Sequence, residues 1–269
     1  FEFQDHDSGK SVTIPQFAFS FFDIDQHMVK DREGRRGEIL TIGGFESYAV
    51  EPENDIKITT VGDKTQFEST ALGEGCDNPE DPMKLGPVEC DYPGGWGKMT
   101  VDQRKRSVMF FFSDTSSFEA SWKVDCTMTK DGQPDCPKGR HLEFGGVSSL
   151  KELCPDDTLT TTKGPTPAPA PGPECIPNVF QFDFHTATVV RSNLDGKKAT
   201  EPAELRYTDI GSFNGAQLDL VVVAKSKYTG NTEGLLGQFG IIGLPAGDSV
   251  DLKFEFQDHD SGKSVTIPQ

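Results

Sequence analysis

The chain has 269 residues, of which 43 are acidic and 26 are basic, so its formal net charge is −17. Such a charge repels nucleic acid and anionic membrane surfaces, and no run of about 18 apolar residues is present to span a bilayer. We therefore expect neither a nucleic-acid partner nor membrane insertion.

The first segment of the chain recurs at its end. Residues 1–16 and residues 254–269 share the string FEFQDHDSGKSVTIPQ, at an offset of 253 residues. This period is far longer than the roughly 20 to 50 residues of solenoid repeats. One copy carries a charge of −2, so one period carries −15. We interpret the chain as one period of a longer tandem repeat plus a 16-residue overlap, so that it begins and ends inside the same hairpin and its module is read in permuted order. The alternative is a chain that was engineered or permuted artificially.

The elements that follow are predicted to be strands. Apolar residues stand at even positions at Val12 and Ile14, but at odd positions from Phe17 to Phe21. The alternation therefore shifts by one residue, and a bulge or edge kink is predicted at Pro15, between the two stretches. The polar string DHDSGK near the end predicts a hairpin turn after the alternating strand 250–256, with a return strand from Val265. Other predicted strands lie at 38–42, 47–50, 56–61, 66–69, 108–112, 117–124, 180–188, 204–207, 218–223 and 239–242.

No segment keeps an amphipathic helical pattern over three turns. Many short strands separated by Gly-rich and Asp-rich turns are typical of an all-β fold, here a jelly-roll-like β-sandwich. The 20 phenylalanines stand mostly at alternating strand positions. Phe lacks the polar group with which Trp and Tyr bind sugars, so we predict that these rings form the core. Trp96, in the glycine-rich loop 91–98, and Tyr92 are the candidates for stacking on a ligand.

Carboxylates suggest a site for a hard metal ion. Asp23 and Asp25 follow the strand that ends in FSFF, and Glu38 begins the next predicted strand. Oxygen ligands of this kind suit calcium, which is the one cofactor we expect. Asp77 and Asp81, in the string CDNPED, form a second candidate. The alternative for both is a solvated acidic loop.

Six cysteines indicate disulfides and an oxidising, extracellular compartment. Cys126 and Cys136 flank an Asp-Gly turn, so we predict a disulfide across that hairpin. Cys76 and Cys90 are predicted to close the loop between them. Cys154 and Cys175 bracket a proline-rich segment, where they either pair directly or tie together the ends of adjacent repeats.

The proline-rich segment divides the chain. Residues 155–173, PDDTLTTTKGPTPAPAPGP, are predicted to form an extended spacer that joins neither helix nor sheet, because proline lacks an N–H and fixes φ. Residues 1–154 are then the C-terminal part of one sandwich module, and residues 174–269 are the N-terminal part of the next.

Two resemblances follow from these strings. TPAPAPGP resembles the hydroxyproline-rich glycoproteins of plant and algal surfaces, which implies hydroxylation and O-glycosylation here. The implied positions are Pro165, Pro167, Pro169, Pro171, Thr160, Thr161, Thr162 and Thr166. The strings ELRYTDIG, LDLVVVA, FSFFDID and FFFSDTSSFEASW resemble tandem extracellular β modules of large secreted proteins of algae and protists, including surface adhesins and the flagellar hairs called mastigonemes.

The sequence therefore favours a structural repeat of an extracellular fibre or surface filament, whose partners are neighbouring copies of the repeat. The alternative is a calcium-dependent module that binds carbohydrate, with glycans as partners. An enzyme is not expected, because the GxSxG, HExxH, GxxxxGK[ST] and dinucleotide-binding patterns are all missing. A hydrolase with paired carboxylates is the third hypothesis.

Overall fold

The structure is a computed structural model. It describes residues 17–27, 36–73, 75–92, 97–125, 127–128, 134–135, 139–146, 160–163, 182–213 and 216–265. The helices in these residues are two short 3-10 helices, Pro82–Lys84 and Gln103–Arg106. No helix in the described ranges is long and apolar enough to cross a membrane.

The described residues are otherwise organised as β-strands, which we number in chain order. These are β1 (Phe17–Phe22), β2 (Gln26–His27), β3 (Arg36–Ile42), β4 (Ser47–Val50), β5 (Ile56–Val61), β6 (Lys64–Ser69), β7 (Leu72–Gly73), β8 (Pro87–Tyr92), β9 (Gly97–Asp102), β10 (Val108–Phe112), β11 (Ser117–Val124), β12 (Thr127–Met128), β13 (Pro134–Asp135), β14 (Arg140–Gly145), β15 (Thr160–Lys163), β16 (Thr188–Ser192), β17 (Leu205–Thr208), β18 (Ser212–Phe213), β19 (Ala216–Ala224), β20 (Glu233–Leu236), β21 (Phe239–Leu244) and β22 (Ser249–Asp258).

Two large sheets carry the fold. The smaller has the order β15-β4-β10-β1-β14-β21-β20, and every pairing in it is antiparallel. The larger follows the path β16-β17-β19-β22-β11-β3-β2-β7, and β6 joins it on β3 and carries β5. Both sheets mix strands from before and after the proline-rich segment. The two parts of the chain therefore build one all-β sandwich rather than two separate domains.

Phenylalanine rings fill the space between the sheets, as the alternation predicts. The Phe19 ring on β1 lies 4.9 Å from Phe118 on β11 and 5.3 Å from Phe254 on β22. All three side chains belong to one buried cluster. The other face of β1 is also covered, since Phe22 packs edge-on against Phe239 in a second cluster. Strand β1 is thus buried on both faces, which fixes the position of the residues that follow it.

Most predicted strands are confirmed, and the predictions at 47–50, 56–61, 108–112 and 117–124 match the observed bounds. The predicted hairpin turn after β22 is confirmed by a bridge between Gln257 and Ser264. Asp131-Gly132 lies outside the described residues, but the hairpin predicted around it is supported by the pairing of β12 with β13. The jelly-roll connection of the strands and the module boundaries stay predictions, and Pro15, where a bulge or kink is predicted, lies outside the described residues.

Two predictions about local structure are wrong. Of the strand predicted at 180–188, residues 182–187 form no strand and bend at 184–186, although Phe182 and Phe184 are buried in the core; Thr188 begins β16, and residues 180–181 lie outside the described ranges. The predicted spacer also contains a strand, because β15 pairs with β4 at the edge of the smaller sheet. Residues 160–163 contain no proline and precede the first of the closely spaced prolines, so all four have backbone N–H groups that can take part in strand pairing with β4.

Candidate metal centre

The candidate site begins where β1 ends. Asp23 has φ of 56°, a left-handed conformation that aspartate tolerates better than most residues. Ile24 donates its N–H to the Arg106 carbonyl over 3.0 Å, and the Asp25 carbonyl accepts from Glu38 N over 3.1 Å. These backbone bonds hold both aspartates at the end of the core strand. The two carboxylates are buried, with 6% of Asp23 and none of Asp25 exposed.

Two glutamates reach the same place from different sheets. Glu38 lies on β3 of the larger sheet and is 3% exposed. Glu143 lies on β14 of the smaller sheet, in register with Phe22, and is fully buried. The carboxylates of this site therefore come from both layers of the sandwich.

A disulfide anchors the third aspartate. Cys76 and Cys90 are bonded with a Cα–Cα distance of 5.6 Å, which confirms their predicted pairing. Asp77 follows Cys76, and its backbone carbonyl accepts from the Gln103 side chain over 3.2 Å. The disulfide thus closes the loop 76–90, and the hydrogen bond from Gln103 holds Asp77 at its start. Asp77 is buried.

Two arginines lie among the carboxylates. Arg106 Nη1 donates to Asp77 Oδ2 and lies 3.8 Å from Asp25 Oδ2, while its Nη2 donates to the Leu72 carbonyl. Arg140 Nη2 lies 2.9 Å from Asp25 Oδ1. Arg140 Nε also lies 3.9 Å from Glu38 Oε1.

The three aspartates converge closely enough to share one ion. One carboxylate oxygen from each of Asp23, Asp25 and Asp77 lies within 4.8 Å of the others. Asp23 Oδ1 is buried and has no hydrogen-bond partner in the part of the chain that the structure describes. Burying an ionised carboxylate oxygen without a partner destabilises the folded state, and binding a cation or a proton removes that penalty.

Burial and mutual repulsion raise the pKa of several of these groups. Burial raises the pKa of Asp23 well above its ordinary value, and the charges of Asp25, Glu38 and Glu143 add to the effect, while Arg140 opposes it. Burial likewise raises the pKa of Glu38. The pKa of Glu143 rises to about 7 through burial, with Asn78 acting against the shift and Asp25 adding to it. If all five carboxylates were ionised, the two arginines would leave the site with three uncompensated negative charges.

Gly73 on β7 leaves room for Asp25. A Cβ atom at Gly73 would lie 1.5 Å from Asp25 Oδ2 and 2.8 Å from Arg106 Nη1. Any side chain at this position would therefore displace the carboxylate.

The structure brings together the predicted metal ligands and adds one from the second candidate. Asp23, Asp25 and Glu38 meet in one cluster with Asp77, whereas Asp81 serves another purpose. The Asp81 side chain accepts from Met83 N and pairs with Lys84 at 2.7 Å, so it caps a 3-10 helix. The alternative of a solvated acidic loop does not fit the buried aspartates.

Glu143, Arg106 and Arg140 also belong to the cluster, and none of them is predicted from the sequence. Strand β14 was not among the predicted strands, and its string RHLEFG begins with two basic residues that hide its alternation. The remaining signal was Glu143 itself, a charged residue between Leu142 and Phe144 in a short apolar run.

The other predicted sites fall partly outside the described residues. Tyr92 is 3% exposed and packs with Cys90 and Val101, so its ring face is covered and is not open for stacking on a sugar. Trp96 lies outside the described residues, as do Cys126, Cys136, Cys154, Cys175, Thr166 and the prolines at 165, 167, 169 and 171. The backbones of Thr160, Thr161 and Thr162 belong to β15.

Comparison with known protein families, with characterised proteins and with solved structures finds no match.

The raised pKa of Glu143 gives a prediction for the free energy of unfolding. The folded chain holds this proton up to about pH 7, whereas an unfolded glutamate releases it near pH 4.5. In chelator, the stability that this proton contributes should therefore be fully present below about pH 4.5, fall by about 3 kcal/mol as the pH rises from 4.5 to 7, and stay level above that. Glu143→Gln should flatten that fall, as measured by urea unfolding between pH 4.5 and 8. Glu119→Gln, at an exposed position of β11, is the control, and an equal slope in all three chains would contradict the prediction.

Proposed function

We propose that the chain is a structural repeat of an extracellular fibre or cell-surface filament, and that a buried divalent cation, calcium being the expected ion, holds its sandwich together. The observation that carries the cation proposal is the convergence of Asp23, Asp25 and Asp77, with Asp23 Oδ1 lacking a partner among the described residues. The copy of residues 1–16 at 254–269 and the proline-rich segment support the repeat.

The arrangement suits a hard cation. Calcium takes six to eight oxygen ligands at about 2.3 to 2.6 Å, so two ligands on opposite sides of one ion stand about 4.6 to 5.2 Å apart. The three aspartate oxygens, within 4.8 Å of one another, satisfy that limit. A divalent ion would also neutralise two of the three excess negative charges. Glu38 and Glu143 would complete the negative surroundings of the ion.

Position in the fold supports a structural role. Asp23 and Asp25 extend a strand of the smaller sheet, Glu38 lies in the larger sheet, and Asp77 lies in the loop held by the disulfide. An ion bound between these groups would tie both sheets and the loop together.

The two other hypotheses receive less support. A hydrolase needs carboxylates that a substrate can reach, yet every carboxylate of the cluster is 6% exposed or less. A carbohydrate-binding module needs open aromatic rings, and of its two candidates Tyr92 is covered while Trp96 lies outside the described residues. A glycan array with and without chelator tests the carbohydrate hypothesis, since binding that EDTA abolishes would restore it.

Calcium titration of the full chain tests the cation proposal. At a hundredfold excess over its dissociation constant, an ion that binds only the folded state adds about 2.7 kcal/mol, which should raise the melting temperature by roughly 5 to 10 °C. Gly73→Ala should abolish both the heat of binding and the temperature shift, because its Cβ displaces Asp25. Gly86→Ala is the matched control, since its Cβ would meet nothing within 4 Å.

The outcome that overturns the cation proposal is a wild-type chain that shows neither a heat of binding nor a shift with calcium, magnesium or manganese. The fibre proposal has a separate test. Electron microscopy of native material should show a regular axial repeat, and unassembled single particles would contradict it.

A further inference from the structure

The second copy of the repeated segment has a defined place in the larger sheet. Its first five residues, 254–258, complete β22 between β11 and β19. Phe254 lies opposite Phe118 on one side and Val222 on the other, and Phe256 lies opposite Leu220. Both phenylalanines are fully buried.

Polar contacts hold the same copy in place at its turn. His259 Nδ1 lies 2.9 Å from Asp219 Oδ1, and Arg206 donates to Asp219 Oδ2 over 2.9 Å and to Gln257 Oε1 over 2.7 Å. Asp219 is buried. The turn is therefore more than a solvated polar tip, because two residues of the copy are bound by groups outside it.

The hairpin returns the chain to the start of β1. Val265 N donates to the Phe256 carbonyl over 2.7 Å, and the Phe256 ring lies 5.0 Å from the Phe17 ring. In the first copy the residue that corresponds to Val265 is Val12, five residues before Phe17. Five residues reach up to about 17 Å, enough to join the end of this hairpin to β1.

We infer that residues 1–16 fill this same place in the sandwich when residues 254–269 are absent. In a tandem array a single copy then leads from β22 of one period directly into β1 of the next. Each sandwich is closed in the order 182–253, hairpin, 17–145 and β15, and the prolines that follow β15 link one sandwich to the next. The inference builds on the proposed repeat, but its test measures folding rather than cation binding or fibre formation.

The test compares four chains: the full chain, one lacking residues 1–16, one lacking residues 254–269, and one lacking both. Thermal unfolding by circular dichroism should be cooperative in the first three. The chain lacking both copies should lose that transition, because only residues 249–253 of β22 then remain between β11 and β19, and the buried Phe254 and Phe256 have no replacement. Loss of the transition in the chain lacking only 254–269, or its survival in the chain lacking both, overturns the inference.

A cross-link identifies which segment occupies the place. Ser117 faces Glu255 in the observed register, and Glu2 is the corresponding residue of the first copy. In the chain lacking 254–269, S117C with E2C should form a disulfide detectable by mass spectrometry, whereas S117C with D7C should not, because Asp7 corresponds to a turn residue. Cooperative unfolding without the first cross-link would also overturn the inference. The calcium titration of the full chain is unaffected by either result.

Discussion

Replacing Arg106 with methionine is expected to lower the free energy of unfolding by about 3 to 5 kcal/mol in chelator. Arg106 is 3% exposed and donates to Asp77 Oδ2 and to the Leu72 carbonyl. Methionine keeps most of the side-chain volume, but it leaves the buried carboxylates with one positive charge fewer. Breaking a buried ion pair on one side costs more than the pair itself contributes, because the remaining charge is neither paired nor solvated.

Arg104→Met is the matched control on the same 3-10 helix. Arg104 is partly exposed and pairs with Asp102 at 2.6 Å, a contact that is worth up to about 1 kcal/mol. Urea unfolding in EDTA should separate the two variants clearly. Calcium should restore more stability to Arg106→Met than it adds to the wild-type chain, because the variant has more negative charge to neutralise. Equal losses in both variants would show that Arg106 does not hold the cluster together.

The local part of the site could be predicted from sequence, and the long-range part could not. Asp23 and Asp25 follow the end of one strand with clear alternation, and Glu38 lies near the start of the next long strand. Their proximity can therefore be predicted from their order along the chain. The Cys76–Cys90 disulfide is predicted, but the packing of its loop against Gln103, which brings Asp77 to the other aspartates, is encoded by no local pattern. The arginines were missed because a buried cation leaves no periodic signal when its partners come from distant strands.

The same distinction explains the wrong strand at 180–188. Alternating aromatic residues correctly indicate that Phe182 and Phe184 face the core. The backbone between them nonetheless turns, since Asp183 Oδ1 accepts from His185 N over 2.7 Å and the Phe184 carbonyl accepts from Ala187 N over 3.2 Å. An aspartate side chain that bonds the backbone two residues ahead competes with the strand ladder. Burial patterns therefore predict which side chains form the core more reliably than they predict the backbone.

Phe110→Ala should produce the second large loss, about 3 to 5 kcal/mol, for a reason unrelated to charge. Phe110 is fully buried, and its ring lies 5.1 Å from both Phe45 and Phe67. The change removes a ring whose space the neighbouring strands cannot close. Phe111→Ala is the control on the same strand, since that side chain is partly exposed on the opposite face and should cost about 1 kcal/mol.

The calcium response distinguishes this loss from the loss at Arg106. Phe110 lies in the core next to Phe21, whose ring is 6.0 Å away and two residues before Asp23. Below its melting temperature, Phe110→Ala should therefore keep the calcium affinity of the wild-type chain by calorimetry, while Arg106→Met changes it. If Phe110→Ala instead lost calcium binding while still folded, the site would depend on core packing rather than on its own carboxylates. The cluster would then be a product of the fold and not an independent centre.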